Sequence, residues 1–143
     1  MERIDRERKK AFLRSYLKLK RGCRALEAAI EELRAGVILP AKPMTGMPRG
    51  GEPAGLEGYI DAVREKEREL DQKRLAMVEA YDRVESAIWK MEPGVKRDVL
   101  MYRYLAGMTW EEMGDKMGYT VRWLNMIHGY ALADFKLPEK TSF

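Results

Sequence analysis

The stretch from Val99 to His128, VLMYRYLAG-MTWEEMGDKMGYT-VRWLNMIH, decides how the chain is read. Gly107 stands where a first helix should end, because glycine takes the left-handed conformation at little steric cost. Thr109 can cap the next helix, and Glu112 three residues later can complete a capping box. Trp110, Met113 and Met117 then share one face at helical spacing, and Gly118 stops that helix after about two turns. Thr120 caps a third helix. Leu124, Ile127 and Leu132 face inward there, and Arg122, Trp123, Asn125 and Met126 are left outward near its start. A short helix, a tight glycine turn and a second helix that exposes its first turns fit a DNA major groove. Gly114, inside the middle helix, should cost up to ~1 kcal/mol of helix stability.

The candidate contacts follow from that geometry. Arg122 is the best base or phosphate reader, since a bidentate arginine–guanine pair is worth ~1–3 kcal/mol of discrimination. Asn125 can pair with adenine, and Trp123 can stack on sugar or meet a thymine methyl; Val121 and Met126 share the region. Thr109 and Thr120 are mainly caps, although a helix N-terminus also suits a phosphate. Lys96, Arg97 and Lys116 are candidate backbone contacts. His128, the single histidine, has no companion metal ligands and is either structural or a phosphate contact.

These residues carry a resemblance. Val99-Leu100, Arg103-Tyr104-Leu105, Gly107, Thr109-Trp110-Glu111-Glu112-Met113, Met117-Gly118-Tyr119-Thr120 and Ala131-Leu132 resemble the fourth region of bacterial sigma factors. The chain is more similar still to the phage-borne ArpU- and RinA-like late transcriptional regulators. Those share an N-terminal helix, a Met-Pro-Arg-Gly-Gly run (Met47 to Gly51), a second long helix and an Ile-His-Gly pattern (Ile127 to Gly129). The resemblance implies a helix-turn-helix reader of duplex DNA that regulates phage or prophage genes beside a bacterial RNA polymerase. It also opens a second role for Trp123, packed onto the first helix or onto a polymerase surface.

The 143 residues suffice for one or two small domains. Charged residues make up 35% and the mean hydropathy is −0.50, the profile of a charge-rich helical protein. No apolar run approaches the ~18 residues that span a bilayer, and the charged N-terminus has no secretory apolar region. Cys23 is the single cysteine, so no internal disulfide forms, and it reads as a small buried apolar residue. The expectation is a cytoplasmic protein.

Two further segments carry heptad seams. The first runs Phe12, Tyr16, Leu19, Cys23, Leu26, Ile30, Leu33, Val37. The second runs Leu56, Ile60, Val63, Glu67, Leu70, Arg74, Met77, Tyr81, Val84, Ile88, Met91, with Glu67 and Arg74 breaking it by charge. Between them, Ile38 to Gly55 is rich in Pro and Gly and continues neither helix. The simplest arrangement is an antiparallel hairpin of helices at about 3–37 and 56–91. A narrow two-helix stripe would leave room for a homodimer through it.

Charge is uneven along the chain. Residues 1–24 hold ten Lys/Arg against three Asp/Glu, a net +7, whereas residues 94–143 hold seven against six, a net +1. A DNA reader draws most of its affinity from phosphate contacts, so the last segment is short of cations. In an antiparallel hairpin the start of the first helix lies beside the reader. Arg3, Arg6, Lys9 and Lys10 are then the candidates to supply the missing phosphate contacts; a merely solvated helix face is the alternative.

Enzyme chemistry finds no foothold. There is no Cys/His metal spacing, no phosphate loop between strand and helix, and no nucleophile with a base; Arg49-Gly50-Gly51 lacks a preceding strand. No cofactor is expected. The expected fold is all-α: a long antiparallel coiled-coil hairpin (1–92), a small sigma-like helix-turn-helix (93–137) and a tail (138–143). The expected function is sequence-specific transcriptional regulation. The alternatives are a DNA-packaging adaptor of the small-terminase kind and a protein adaptor that binds RNA polymerase.

Overall fold

The computed structural model describes residues 2–38 and 53–139. Among them it contains five helices and no strand: α1 (Arg3–Ile38), α2 (Pro53–Trp89), α3 (Val95–Tyr104), α4 (Trp110–Met117) and α5 (Val121–Asp134). The all-α expectation holds. The Met47–Gly51 run, and the expected loop apart from its edges, lie outside the described residues, as do positions 140–143 of the expected tail. No helix among the described residues is long and apolar enough to cross a membrane.

The chain divides into two compact units. One comprises Lys20–Ala76; the other comprises Met1–Leu19 together with Met77–Phe143. In the first, Cys23, Ile30, Val63 and Leu70 are buried, as the seams predict. Glu67 and Arg74, the two charges in the second seam, each find a partner on α1. Glu67 pairs with Arg34, and Arg74 donates to Glu27 at 2.7 Å. The partner of the later residue (67) is 34 and that of the still later one (74) is 27, so these two segments run antiparallel. Arg34, Glu27 and Arg74 are exposed and Glu67 is half-buried, so the pairs add little to stability; their geometry selects a register, because a slip would juxtapose like charges. The seam stops short of Leu56, which is exposed.

The second unit holds two apolar clusters. The larger joins Phe12 and Leu13 of α1, Val84, Ala87 and Ile88 of α2, Leu100 and Tyr104 of α3, Leu105, Ala131 and Leu132 of α5, and Phe135. Phe12 stacks on Phe135 with ring centroids 6.0 Å apart, and Tyr16 meets Tyr81 edge-on at 5.0 Å. The smaller cluster is Val99, Met113 and Leu124, with Trp110, Met117, Trp123 and Ile127 packed around it. The expected boundary between positions 92 and 93 therefore runs through one continuous core. Helices of eight to fourteen residues bury too little apolar surface alone, so α3–α5 take Phe12, Leu13 and Ile88 into their own interior.

Candidate nucleic-acid interface

Local chemistry builds α4 and α5 as their sequence demands. The Thr109 hydroxyl accepts from the Glu112 N–H at 3.1 Å, and the Glu112 carboxylate accepts from the Thr109 N–H at 2.8 Å. This reciprocal box holds the Glu112 carboxyl below the usual range, chiefly through the backbone hydrogen bond of Thr109. Gly118 closes α4 in the left-handed region (φ 78°), where its N–H reaches the Gly114 carbonyl at 2.9 Å. The Thr120 hydroxyl then accepts from the Trp123 N–H at 3.1 Å and starts α5.

Gly114 is more than a weak helix former. A Cβ there would stand 2.9 Å from the Tyr119 carbonyl oxygen. The α4–α5 turn passes so close to the helix that only glycine fits. The expected cost of Gly114 is a local one that the tight turn requires.

The opening turns of α5 present Arg122, Asn125 and Met126 to solvent, with Met126 50% exposed. Leu124 is fully buried and Ile127 half-buried behind them. The Asn125 side-chain amide donates to the Val121 carbonyl at 3.0 Å, a bond made within its own helical turn. Two neighbours are less free than expected. Trp123 is half-buried, packs on the smaller core and meets the Tyr119 ring at a 32° tilt, centroids 4.1 Å apart. Val121 is half-buried in the turn beside Gly114. Tyr119, itself exposed, joins the surface here. Its signal in the sequence is the four-residue step to Trp123, which falls across a helix start and so escapes a periodicity search.

Several expected contacts are placed elsewhere. His128 is 7% exposed, shares a 2.7 Å hydrogen bond with the Tyr104 hydroxyl and lies edge-on to Trp110 at 5.1 Å. It is structural and cannot reach a phosphate. Burial, helped by the positive charges of Lys10, Arg6, Arg103 and Arg14, pushes its pKa down to about 4. Burial likewise raises Tyr104. Lys96 pairs with Asp134 at 2.8 Å, at the far end of α5, roughly 18 Å along the axis from Arg122. Arg97 stacks over Trp89 at 3.9 Å. Neither joins the opening turns, because α3 starts against the C-terminal end of α5. Lys9 donates to the Leu132 carbonyl at 2.8 Å and so satisfies an orphan acceptor of the last turn of α5. One of its three N–H donors is committed there.

Lys116 remains exposed at the end of α4, 6.0 Å from the Tyr102 ring, and Arg3 is exposed at the start of α1. Arg6 and Lys10 do lie close enough to α5 for their charges to act on His128. Arg103 was not among the expected contacts. It donates to the Met108 carbonyl at 2.8 Å and lies over the Trp110 ring at 4.8 Å, beside the start of α4. The chain matches no protein-family model, no curated protein and no solved structure.

Proposed function

We propose that the protein is a sequence-specific DNA-binding regulator of transcription. In this reading α4 and α5 form a sigma-like helix-turn-helix, carried on an antiparallel coiled-coil hairpin and encoded by a phage or prophage. The protein acts in the cytoplasm beside a bacterial RNA polymerase, as a binding protein rather than an enzyme. One observation carries the reading: Arg122, Asn125 and Met126 stand exposed on the first turns of α5 while Leu124 anchors it from behind. An exposed guanidinium and carboxamide on successive turns match the donor and acceptor edges of a major groove.

The test is a gel-shift panel of duplexes taken from upstream of the neighbouring genes, repeated with Arg122→Ala. The expected result is one preferred duplex, bound roughly 5- to 150-fold more weakly by the variant, the range of one bidentate base contact. An unchanged ranking and affinity would remove α5 as the reader. The Tyr119–Trp123 ring pair on this same surface favours a second reading, a protein adaptor that docks polymerase. Retained polymerase binding with no duplex shifted at low salt selects it.

A further inference from the structure

The α1 residues flanking the contact with α5 are committed: Lys9 binds the Leu132 carbonyl and Phe12 packs on Phe135. Arg6, Lys10 and Arg14, at steps of four, line one side of that contact on a single helix face. Arg6 and Lys10 are half-buried and Arg14 is exposed. Among the described residues no carboxylate lies within ion-pair distance of any of the three. Arg103 approaches from α3, fixed over Trp110 by its bond to the Met108 carbonyl. The buried Tyr104–His128 pair lies within reach of these charges.

We propose that Arg6, Lys10 and Arg14 of α1 and Arg103 of α3 form one binding site for the phosphodiester backbone of a nucleic acid, wrapped around the Tyr104–His128 pair. The inference rests on the DNA-binding reading above and adds a second, sequence-independent contact to it. Four like charges converge here, with Glu7 the one carboxylate facing the same pair and no ion pair formed among the described residues; the arrangement costs self-repulsion in the free protein and is relieved by a bound polyanion. The site also supplies the cations that the near-neutral reader segment lacks.

His128 makes the site observable, because it is the single histidine of the chain and the charges acting on it are those of the site. The groups facing the pair are Arg6, Glu7, Lys10 and Arg14 from α1 and Arg103 from α3, with the Trp110 ring from α4. A bound phosphate backbone offsets the positive field, so protonation of His128 becomes easier.

The experiment uses the full chain and a duplex of arbitrary sequence, about two helical turns long, as the probe. The titration midpoint of the His128 ring is followed by NMR with and without duplex, and the salt dependence of binding is measured in parallel. Wild type, Lys10→Ala/Arg14→Ala and Arg122→Ala are compared, with Arg14→Ala alone kept as a milder variant should the double one fold poorly. The His128 midpoint should rise on binding in wild type and in Arg122→Ala. The log–log salt slope should fall by ~1.8 in the double variant, or ~0.9 in the single one, at ~0.9 for each phosphate left without its cation. An unchanged slope, or a midpoint unmoved with duplex bound, overturns the site. A preferred duplex bound through Arg122 with His128 unmoved removes this site and leaves the reader standing. A moved His128 with sequence preference indifferent to Arg122 does the reverse. No duplex bound at any salt concentration removes both.

Discussion

Acidification from about pH 7.5 to about pH 5 should destabilise the unit that holds His128. The group is held at about 4 against its ordinary 6.5. The unfolded chain takes up the proton as the pH falls through 6.5, while the folded chain refuses it until about 4. Stability is therefore complete above 6.5, lost progressively as the pH falls, and level again below about 4. Each unit crossed in that window costs at most ~1.4 kcal/mol, so the step to about pH 5 costs ~2 kcal/mol. Glu112 does not confuse the measurement. Its carboxyl is lowered from 4.5, so the stability it adds is lost only at lower pH. Urea titrations followed by tryptophan fluorescence suit the test. Trp89, Trp110 and Trp123 all belong to this unit, and Trp110 touches the His128 ring. His128→Gln removes the titration and should lose under ~0.5 kcal/mol over the same interval. Equal stability of the wild type at the two pH values would refute the argument, as would an equal loss in the variant.

Three substitutions probe the supports of α4 and α5. Gly114→Ala should destabilise by ~1–3 kcal/mol despite the better helix propensity of alanine, because its Cβ meets the Tyr119 carbonyl at 2.9 Å; a variant that melts higher would show that the turn has slack. Leu124→Ala, at a fully buried position, should cost ~2–5 kcal/mol in denaturant titrations, and a loss under ~1 kcal/mol would mean that the small cluster around Met113 and Val99 recloses over the gap. Thr109→Ala breaks the capping box and should cost about 1 kcal/mol, read as a lower melting temperature with little change in the buried core.

The parts of this protein legible in its sequence are those whose partners lie within a few residues. Thr109 finds Glu112, Thr120 finds the Trp123 N–H, and Gly118 finds the Gly114 carbonyl, because backbone geometry alone brings them together. The buried faces of α1 and α2 were legible too, since burial at Cys23, Ile30, Val63 and Leu70 follows from a period that any packed helix must keep.

Only the tertiary structure decided which charges and polar groups remain free. Basic residues are easy to count along a chain, but their partners lie tens of positions away. Lys9 is tied to the Leu132 carbonyl, Lys96 is paired with Asp134, and His128 is sealed against Tyr104. Among the described residues Arg6, Lys10 and Arg14 form no ion pair. The same holds for the fold's division: a core assembled from Phe12, Ile88, Leu100 and Leu132 joins positions more than a hundred residues apart. Helix periodicity states that each must be buried, and packing alone chooses against what.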